Sequence, residues 1–176
     1  MFANGATTAA MAFAFAQAAR GDVNDIHMQD ASDLPDGVTL GEVDPSGPLS
    51  HPEARTGMRN AWFETFANSE YAREQGGWIV KPEGVRGFFR SLFGRPEVYV
   101  IRAPSGSRTA INLGPRPKYA IGKFHTHPDG DGVPVGSRAD LHNRVPSYVI
   151  GRGGVTRINL NDTQNYLGTR EDVLRP

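Results

Sequence analysis

Apolar side chains recur at intervals of three and four residues between positions 52 and 73. This spacing places them on one face of an α-helix, and Ser50 or His51 precedes the first turn as a candidate N-cap. The sequence therefore predicts an amphipathic helix from residue 52 to about residue 73 that packs against a sheet. Its apolar face would carry Met58, Ala61, Trp62, Phe66 and Ala67.

Six short segments rich in β-branched and aromatic residues follow this helix and predict strands. They comprise residues 77–80, 97–102, 108–113, 118–124, 147–150 and 155–160. Glycine-containing stretches at 103–106 and 151–154 predict hairpin turns between neighbouring strands. This order of elements predicts an α+β fold in which helices flank a mixed or antiparallel sheet.

Residues 81–95 combine four basic side chains with Phe88, Phe89 and Phe93. A basic and aromatic surface of this kind is typical of binding to a partner chain or to nucleic acid. The alternative, which we favour, is an insertion whose phenylalanines fold onto the core.

Composition limits the classes of protein that fit. The 176 residues, 38% of them hydrophobic and 22% charged, suit one globular domain with a tail. Residues 21–50 are rich in Asp, Gly and Pro and predict a linker or irregular arm, which places the domain at 51–176. Nineteen basic and nineteen acidic residues cancel, which disfavours a nucleic-acid partner, and the chain has no cysteine for disulfides or thiolate zinc sites. No apolar run reaches the roughly 18 residues that a membrane span requires.

The richest candidate chemistry lies between residues 125 and 140. His125 and His127 are two residues apart at the end of an apolar strand, so both imidazoles point to the same face. Ser137 and Asp140 are three residues apart at the start of a short helix that Ser137 would cap, so their side chains share one face of its first turn. Two imidazole nitrogens and one carboxylate oxygen would fill three tetrahedral positions around zinc and leave the fourth for water, as in catalytic sites.

These residues resemble the signature of the JAMM (MPN+) metalloproteases, a Glu followed at a distance by His-x-His, a spacer and Ser-x-x-Asp. The spacer at 128–136 has nine residues, somewhat more than the commonest form. The best match to the glutamate is Glu74, just before the strand at 77–80, and Glu70 is the second candidate. The resemblance implies a JAMM-like fold, layered like the cytidine deaminases, and a peptidase that cleaves a peptide or isopeptide bond.

The resemblance also implies how the site residues act. His125, His127 and Asp140 would bind Zn²⁺, Glu74 would take a proton from the metal-bound water, and Ser137 would steady the tetrahedral oxyanion. Zinc lowers the pKa of bound water to about 7, and a carboxylate outside the first shell accepts and later donates the proton. Two alternatives stay open: a metal-dependent nuclease, which the neutral net charge disfavours, and a non-catalytic binding module on the same scaffold.

The first twenty residues are rich in alanine and lack the basic start of a secretion signal. Residues 4–10, Asn-Gly-Ala-Thr-Thr-Ala-Ala, resemble the stretch that precedes the C-terminal toxin in RHS-type polymorphic toxins. A helix packed by Phe13 and Phe15, or a disordered leader, is the alternative. The resemblance implies that residues 1–50 are a leader and linker. The toxic module that follows residue 50 would be secreted as part of a larger bacterial protein and would act on a protein substrate in the cytoplasm of a target cell. The producing cell would carry a cognate immunity protein.

Overall fold

The computed structural model describes residues 31–67 and 71–176, so the alanine-rich leader and Glu70 lie outside the described residues. Within those ranges the chain is an α+β structure with one mixed seven-stranded sheet and few helices, which confirms the coarse fold class. The strands are β1 (Val38–Leu40), β2 (Gly76–Val80), β3 (Tyr99–Arg102), β4 (Ala120–Thr126), β5 (Ser147–Gly151), β6 (Gly154–Ile158) and β7 (Gln164–Gly168).

The sheet has the strand order β1-β7-β6-β5-β4-β2-β3. The β1/β7 and β4/β5 pairs are parallel, and the other neighbours are antiparallel. Residues 151 and 154 face each other across a tight hairpin between β5 and β6, which confirms the turn predicted there. Strand β4 lies inside the sheet with β2 on one side and β5 on the other, so its backbone is fixed along both edges.

In the described ranges three α-helices accompany the sheet: α1 (Pro52–Thr65), α2 (Gly84–Leu92) and α3 (Arg170–Val173). Helix α1 begins with proline at its first position, where the missing N–H costs no hydrogen bond. It ends at Thr65, earlier than the predicted residue 73, because Phe66 leaves helical geometry and the amide of Arg73 turns back to donate to the Thr65 carbonyl. None of the helices in the described part of the chain is long and apolar enough to cross a membrane.

Helix α1 covers one face of the sheet and forms the main core there. Met58 and Ala61 on the helix are fully buried together with Phe124 of β4 and Tyr148 of β5. Burial of each large apolar side chain contributes about 1.5–3 kcal/mol. The same core includes Leu49, Ala54, Ile79, Val98, Ile150, Val155, Val173 and Leu174.

The opposite face of the sheet is covered by the segment between β4 and β5. A Cβ atom on Gly136 would come within 2.2 Å of the Ile158 Cδ1 atom, and one on Gly151 would come within 2.8 Å of the Pro134 Cβ atom. The segment therefore lies directly against β5 and β6, and side chains here must be absent for the backbone to approach so closely.

Residues 31–50 differ from the expected linker. Val38–Leu40 form an edge strand that pairs with β7, and Pro48–Ser50 form a short 3₁₀-helix whose Leu49 is buried in the core. The folded sheet therefore begins upstream of residue 51. The turn-forming residues that predict a linker form turns that connect these short elements.

The strand predicted at residues 108–113 is wrong. The Ser107 hydroxyl accepts a hydrogen bond from the Ala110 amide, and the Ser107 backbone amide donates to the Ala110 carbonyl at 2.8 Å. Asn112 in turn accepts a hydrogen bond from the Gly114 amide through its side chain. Polar side chains thus satisfy the backbone locally in place of a strand ladder, and the hairpin predicted at 103–106 does not form.

Residues 84–92 of the basic and aromatic segment form helix α2, and the exposure of Phe89 and Phe93 contradicts the expectation that these two side chains fold onto the core. Phe93 is 71% exposed and stacks beside Phe89, which is also exposed. Arg90 lies over the ring of Tyr99 at 4.4 Å. The helix therefore carries an apolar surface outward.

Candidate metal centre

His125 and His127 lie at the end of β4 on the face of the sheet opposite α1. His125 pairs with Gly76 of β2 and with Val149 of β5, and its side chain is only 4% exposed. The His127 amide continues the ladder by donating to the Ile150 carbonyl at 2.8 Å. The two imidazoles are thus held by backbone hydrogen bonds on both sides of the strand, as the alternation of the sequence predicts.

Gly76 permits the close approach of β2 to this strand. A Cβ atom there would lie 2.6 Å from the Phe124 carbonyl oxygen and 3.1 Å from the Cβ atom of His125. Contacts this short to backbone force the strands apart, so the position requires glycine. The glycine follows Glu74 by two residues and brings the glutamate near the metal ligands.

Asp140 enters the site from a short 3₁₀-helix, Arg138–Asp140, which Ser137 precedes as predicted. The backbone amide of Ser137 donates to Asp140 Oδ2 at 2.8 Å, and its hydroxyl donates to the same oxygen at 2.7 Å. The other carboxylate oxygen, Oδ1, lies 3.4 Å from the Nε2 atom of His125. Ser137 therefore orients Asp140 so that one oxygen remains available beside the imidazoles.

The three side chains fit a metal ion. The Nε2 atoms of His125 and His127 are 3.0 Å apart, and one ligand atom from each of His125, His127 and Asp140 lies within 4.8 Å of the other two. Two ligands placed tetrahedrally at about 2.0–2.1 Å from zinc are about 3.3 Å apart, close to the 3.0 Å and 3.4 Å that separate His125 Nε2 from His127 Nε2 and from Asp140 Oδ1. The structure thus shows a cluster that could hold a metal ion, and the donor set suits zinc.

The protonation states of the three side chains at neutral pH favour metal binding. Burial lowers the pKa of His125 to about 4 and also lowers the pKa of His127. Burial alone would raise the pKa of Asp140, but His125 and the hydrogen bonds from Ser137 hold it below its usual range. Both imidazoles are therefore neutral and the carboxylate ionised at neutral pH, which are the forms that bind a metal ion.

Glu74 lies just before β2 and lines the same cleft as the three ligands. Its amide donates to the Ser107 carbonyl at 2.8 Å, and its carbonyl accepts from the Gly106 amide at 2.9 Å. The residue is 5% exposed, and burial, followed by the charges of Asp140 and Asp129, raises the pKa of its carboxyl to about 7. A carboxyl with this pKa exchanges a proton readily at neutral pH.

Thr126 holds the backbone next to Glu74 against the strand that leads to the two candidate histidine ligands. Its amide donates to the carbonyl of Gln75 at 2.8 Å, and its hydroxyl accepts from the Gln75 amide at 2.9 Å. The same hydroxyl lies 2.7 Å from that of Thr65 at the end of α1. The chain on either side of Glu74 is thus fixed relative to His125 and His127.

The cleft above these residues has a volume of about 560 Å³. Residues 108–114 form one wall, and the Leu113 carbonyl accepts a hydrogen bond from the Trp78 indole at 2.9 Å. Arg108 reaches Asp129 at 2.8 Å and joins this wall to the loop that follows His127. A cleft of this volume is within the range of ligand-binding sites.

Trp78 and Lys123 also line the cleft and are residues that the sequence motif does not identify. Lys123 precedes His125 by two residues, so the alternation of β4 was a signal for its direction. His142, in contrast, lies outside the cluster. Its side chain is 86% exposed and its Nδ1 atom pairs with Asp162 at 2.6 Å.

Comparison of the chain with models of protein families, with curated proteins and with solved structures found no match.

Proposed function

We propose that the protein is a zinc-dependent hydrolase of the JAMM type that cleaves a peptide or isopeptide bond. One observation carries this proposal: three side chains able to hold a metal ion converge within 4.8 Å in a cleft that a buried glutamate also lines. A binding module needs neither a carboxyl with a pKa of about 7 nor an open ligand position beside it.

In this proposal the three ligands hold the metal ion and the glutamate transfers the proton. His125, His127 and Asp140 would hold zinc, which when bound makes water acidic near pH 7 and polarises a carbonyl group. Glu74 would accept the proton of the attacking water and later donate it to the departing amine. Its pKa of about 7 suits both transfers, because the group gains and loses a proton with similar ease at neutral pH.

Ser137 supports the third ligand in this proposal. Its hydroxyl donates to Asp140 Oδ2, which keeps Oδ1 directed toward the imidazoles. The part implied by the family resemblance, in which Ser137 steadies the oxyanion, requires the hydroxyl to turn away from Asp140. Orientation of the ligand is the function that the observed hydrogen bonds support.

The fold type and the biological origin of the protein are part of the same proposal. The JAMM-like layering, similar to that of cytidine deaminases, is supported by the position of the ligands at the end of an inner strand. The origin as the toxic C-terminal module of a secreted RHS-type effector rests on the likeness at residues 4–10, outside the described residues. We expect expression in the bacterial cytoplasm to arrest growth only when the metal ligands are intact.

Metal content tests the proposal first. We expect about one zinc ion per purified wild-type chain, and none in a His125→Ala variant whose fold is verified by circular dichroism. His142→Ala is the matched control, because this exposed histidine lies outside the cluster and should leave the zinc content unchanged. A folded wild-type chain that neither retains nor rebinds zinc would refute the metal site.

Hydrolysis is tested on the zinc-loaded protein with a peptide library and with isopeptide-linked conjugates. Cleavage that is lost in Glu74→Gln, while zinc is retained, would support the assigned base. Cleavage that persists in that variant would refute it. Degradation of DNA or RNA by the wild type, dependent on the same ligands, would replace the peptidase by a nuclease.

A further inference from the structure

Lys123 lies on the floor of the cleft beside the metal ligands, and the chemistry proposed above does not use it. Its side chain emerges from β4 on the same face as His125 and His127, since the three residues alternate along one strand. Trp78 of β2 is directly opposite Lys123 in the strand register, and both line the cleft. Lys123 and Trp78 are therefore neighbours across two paired strands, and both line the cleft next to the cluster.

The ammonium of Lys123 is partly buried yet has no ion pair among the described residues. No carboxylate oxygen in the described ranges comes within 4.0 Å of its nitrogen. Lys81, by comparison, pairs with Glu97 at 2.8 Å on the surface. The Asp140 carboxylate acts on this ammonium group only from beyond 4.0 Å, and its Oδ1 atom is directed to His125, so the ammonium group is left to pair directly with an anionic ligand in the cleft.

The charged side chains that line the cleft limit the chemical class of the anion that Lys123 can bind. Arg108 is already paired with Asp129 at 2.8 Å, which leaves Lys123 as the one lysine or arginine of the lining without such a partner. Glu74 and Asp140 add negative charge close by. With a divalent ion bound, the lining would carry about one net positive charge. One carboxylate matches that charge, whereas a run of phosphates requires a row of basic side chains.

We propose that Lys123 binds a carboxylate of the substrate that flanks the scissile amide, and so makes the cleft selective for acidic peptides. Trp78 would pack against the apolar part of the same substrate residue. This inference rests on the proposed function, since it names a substrate feature for the same cleft. The carboxylate belongs either to an acidic side chain or to a free C-terminus, which present the same chemistry to an ammonium group.

Binding of short peptides to the zinc-loaded protein tests this without requiring turnover. The probes are acetyl-Gly-Glu-amide, its neutral isostere acetyl-Gly-Gln-amide, and acetyl-Gly-Gly with a free carboxylate, each measured by calorimetry. We expect one of the two anionic probes to bind the wild type about ten-fold more tightly than the neutral probe, which is the effect of one charge-assisted hydrogen bond. The probe that binds better identifies the source of the carboxylate.

Two lysine variants provide the controls. In Lys123→Met, which keeps the length of the side chain, we expect the ten-fold preference to disappear while the zinc content stays unchanged. In Lys81→Met, a surface lysine outside the cleft, the preference should persist. Equal binding of all probes by the wild type, no binding of any probe, or a preference that survives in Lys123→Met would overturn the inference.

Failure of the proposed function has a different signature. A protein that prefers the anionic probes through Lys123 but cleaves no peptide would retain the carboxylate site and lose the peptidase assignment. A protein that cleaves peptides in a Glu74-dependent manner without preferring acidic ones would retain the peptidase and lose the inference about Lys123. Tighter binding of a dinucleotide than of either anionic peptide, through Lys123, would also overturn it.

Discussion

Replacing Glu74 by glutamine should stabilise the metal-free protein at alkaline pH. The folded structure raises the pKa of this carboxyl from 4.5 to about 7, mainly by burial. A raised carboxyl pKa means that the folded state holds the proton more tightly than the unfolded state does. Stability is therefore greatest at low pH and is lost as the pH rises from about 4.5 toward 7. Glutamine has the shape of the neutral form and avoids this loss.

The expected gain in the free energy of unfolding follows from the size of the pKa shift of Glu74. The difference between 7 and 4.5 is 2.5 units, and each unit corresponds to about 1.36 kcal/mol, which gives an upper limit of about 3 kcal/mol. Solvent at the cleft and relaxation of the neighbouring carboxylates reduce this figure, so we expect a gain of about 1–3 kcal/mol at pH 8. About three quarters of the gain should be gone at pH 5, where the wild-type carboxyl is protonated in the folded state.

Urea unfolding in the presence of a chelator measures this gain, with tryptophan fluorescence as the signal. Glu97→Gln is the matched control, because Glu97 is exposed and Lys81 lowers its pKa, so its loss should not stabilise the protein. A Glu74→Gln variant no more stable than the wild type at pH 8, or equally stabilised at pH 5 and 8, would refute the argument that burial raises this pKa. It would also weaken the case for Glu74 as a base near neutral pH.

Three further substitutions test the supports of the cluster. Ser137→Ala should weaken zinc binding about 10–100-fold in a chelator competition, because Asp140 Oδ2 loses one of its two orienting hydrogen bonds and keeps only the one from the backbone amide. Gly76→Ala should lower the free energy of unfolding by roughly 1–3 kcal/mol in urea, since the added Cβ meets the Phe124 carbonyl at 2.6 Å. Thr126→Val should cost about 1–3 kcal/mol in the same assay, because the Gln75 amide and the Thr65 hydroxyl both lose a buried partner. Unchanged values would show that these contacts contribute little.

The inner part of the fold is predictable from the sequence because its signals are local. The alternation that ends at His125 and His127 belongs to a strand buried on one face and partly buried on the other, and Ser137 with Asp140 forms a cap within four residues. Each of these patterns is complete within a few residues, so no knowledge of distant pairing is needed. The convergence of the three ligands follows once β4 and the capped turn are in place.

The edges of the sheet are not predictable in this way. Strand β1 has three residues, and its partner β7 lies about 125 residues further along the chain, so nothing nearby in the sequence indicates the pairing. Strand β7 buries only Tyr166 and otherwise carries polar or partly exposed residues. Residues 108–113 have the composition of a strand, but Ser107 and Asn112 offer the backbone local hydrogen bonds instead.

The missed strand β7 nevertheless contributes to the candidate centre. The Gly136 amide donates to the side-chain oxygen of Gln164 at 2.8 Å, which anchors the segment that carries Asp140 to the sheet. Two candidate ligands thus lie at the end of an inner strand, whereas the third depends on a loop held by a glycine contact, a cap and strand β7, which pairs with the edge strand β1. A metal ion would join these two parts, and its binding free energy would add to the stability of the loop more than to that of the strand. Since backbone hydrogen bonds within the sheet hold both histidines, we expect affinity for the metal ion to depend mainly on the position of Asp140.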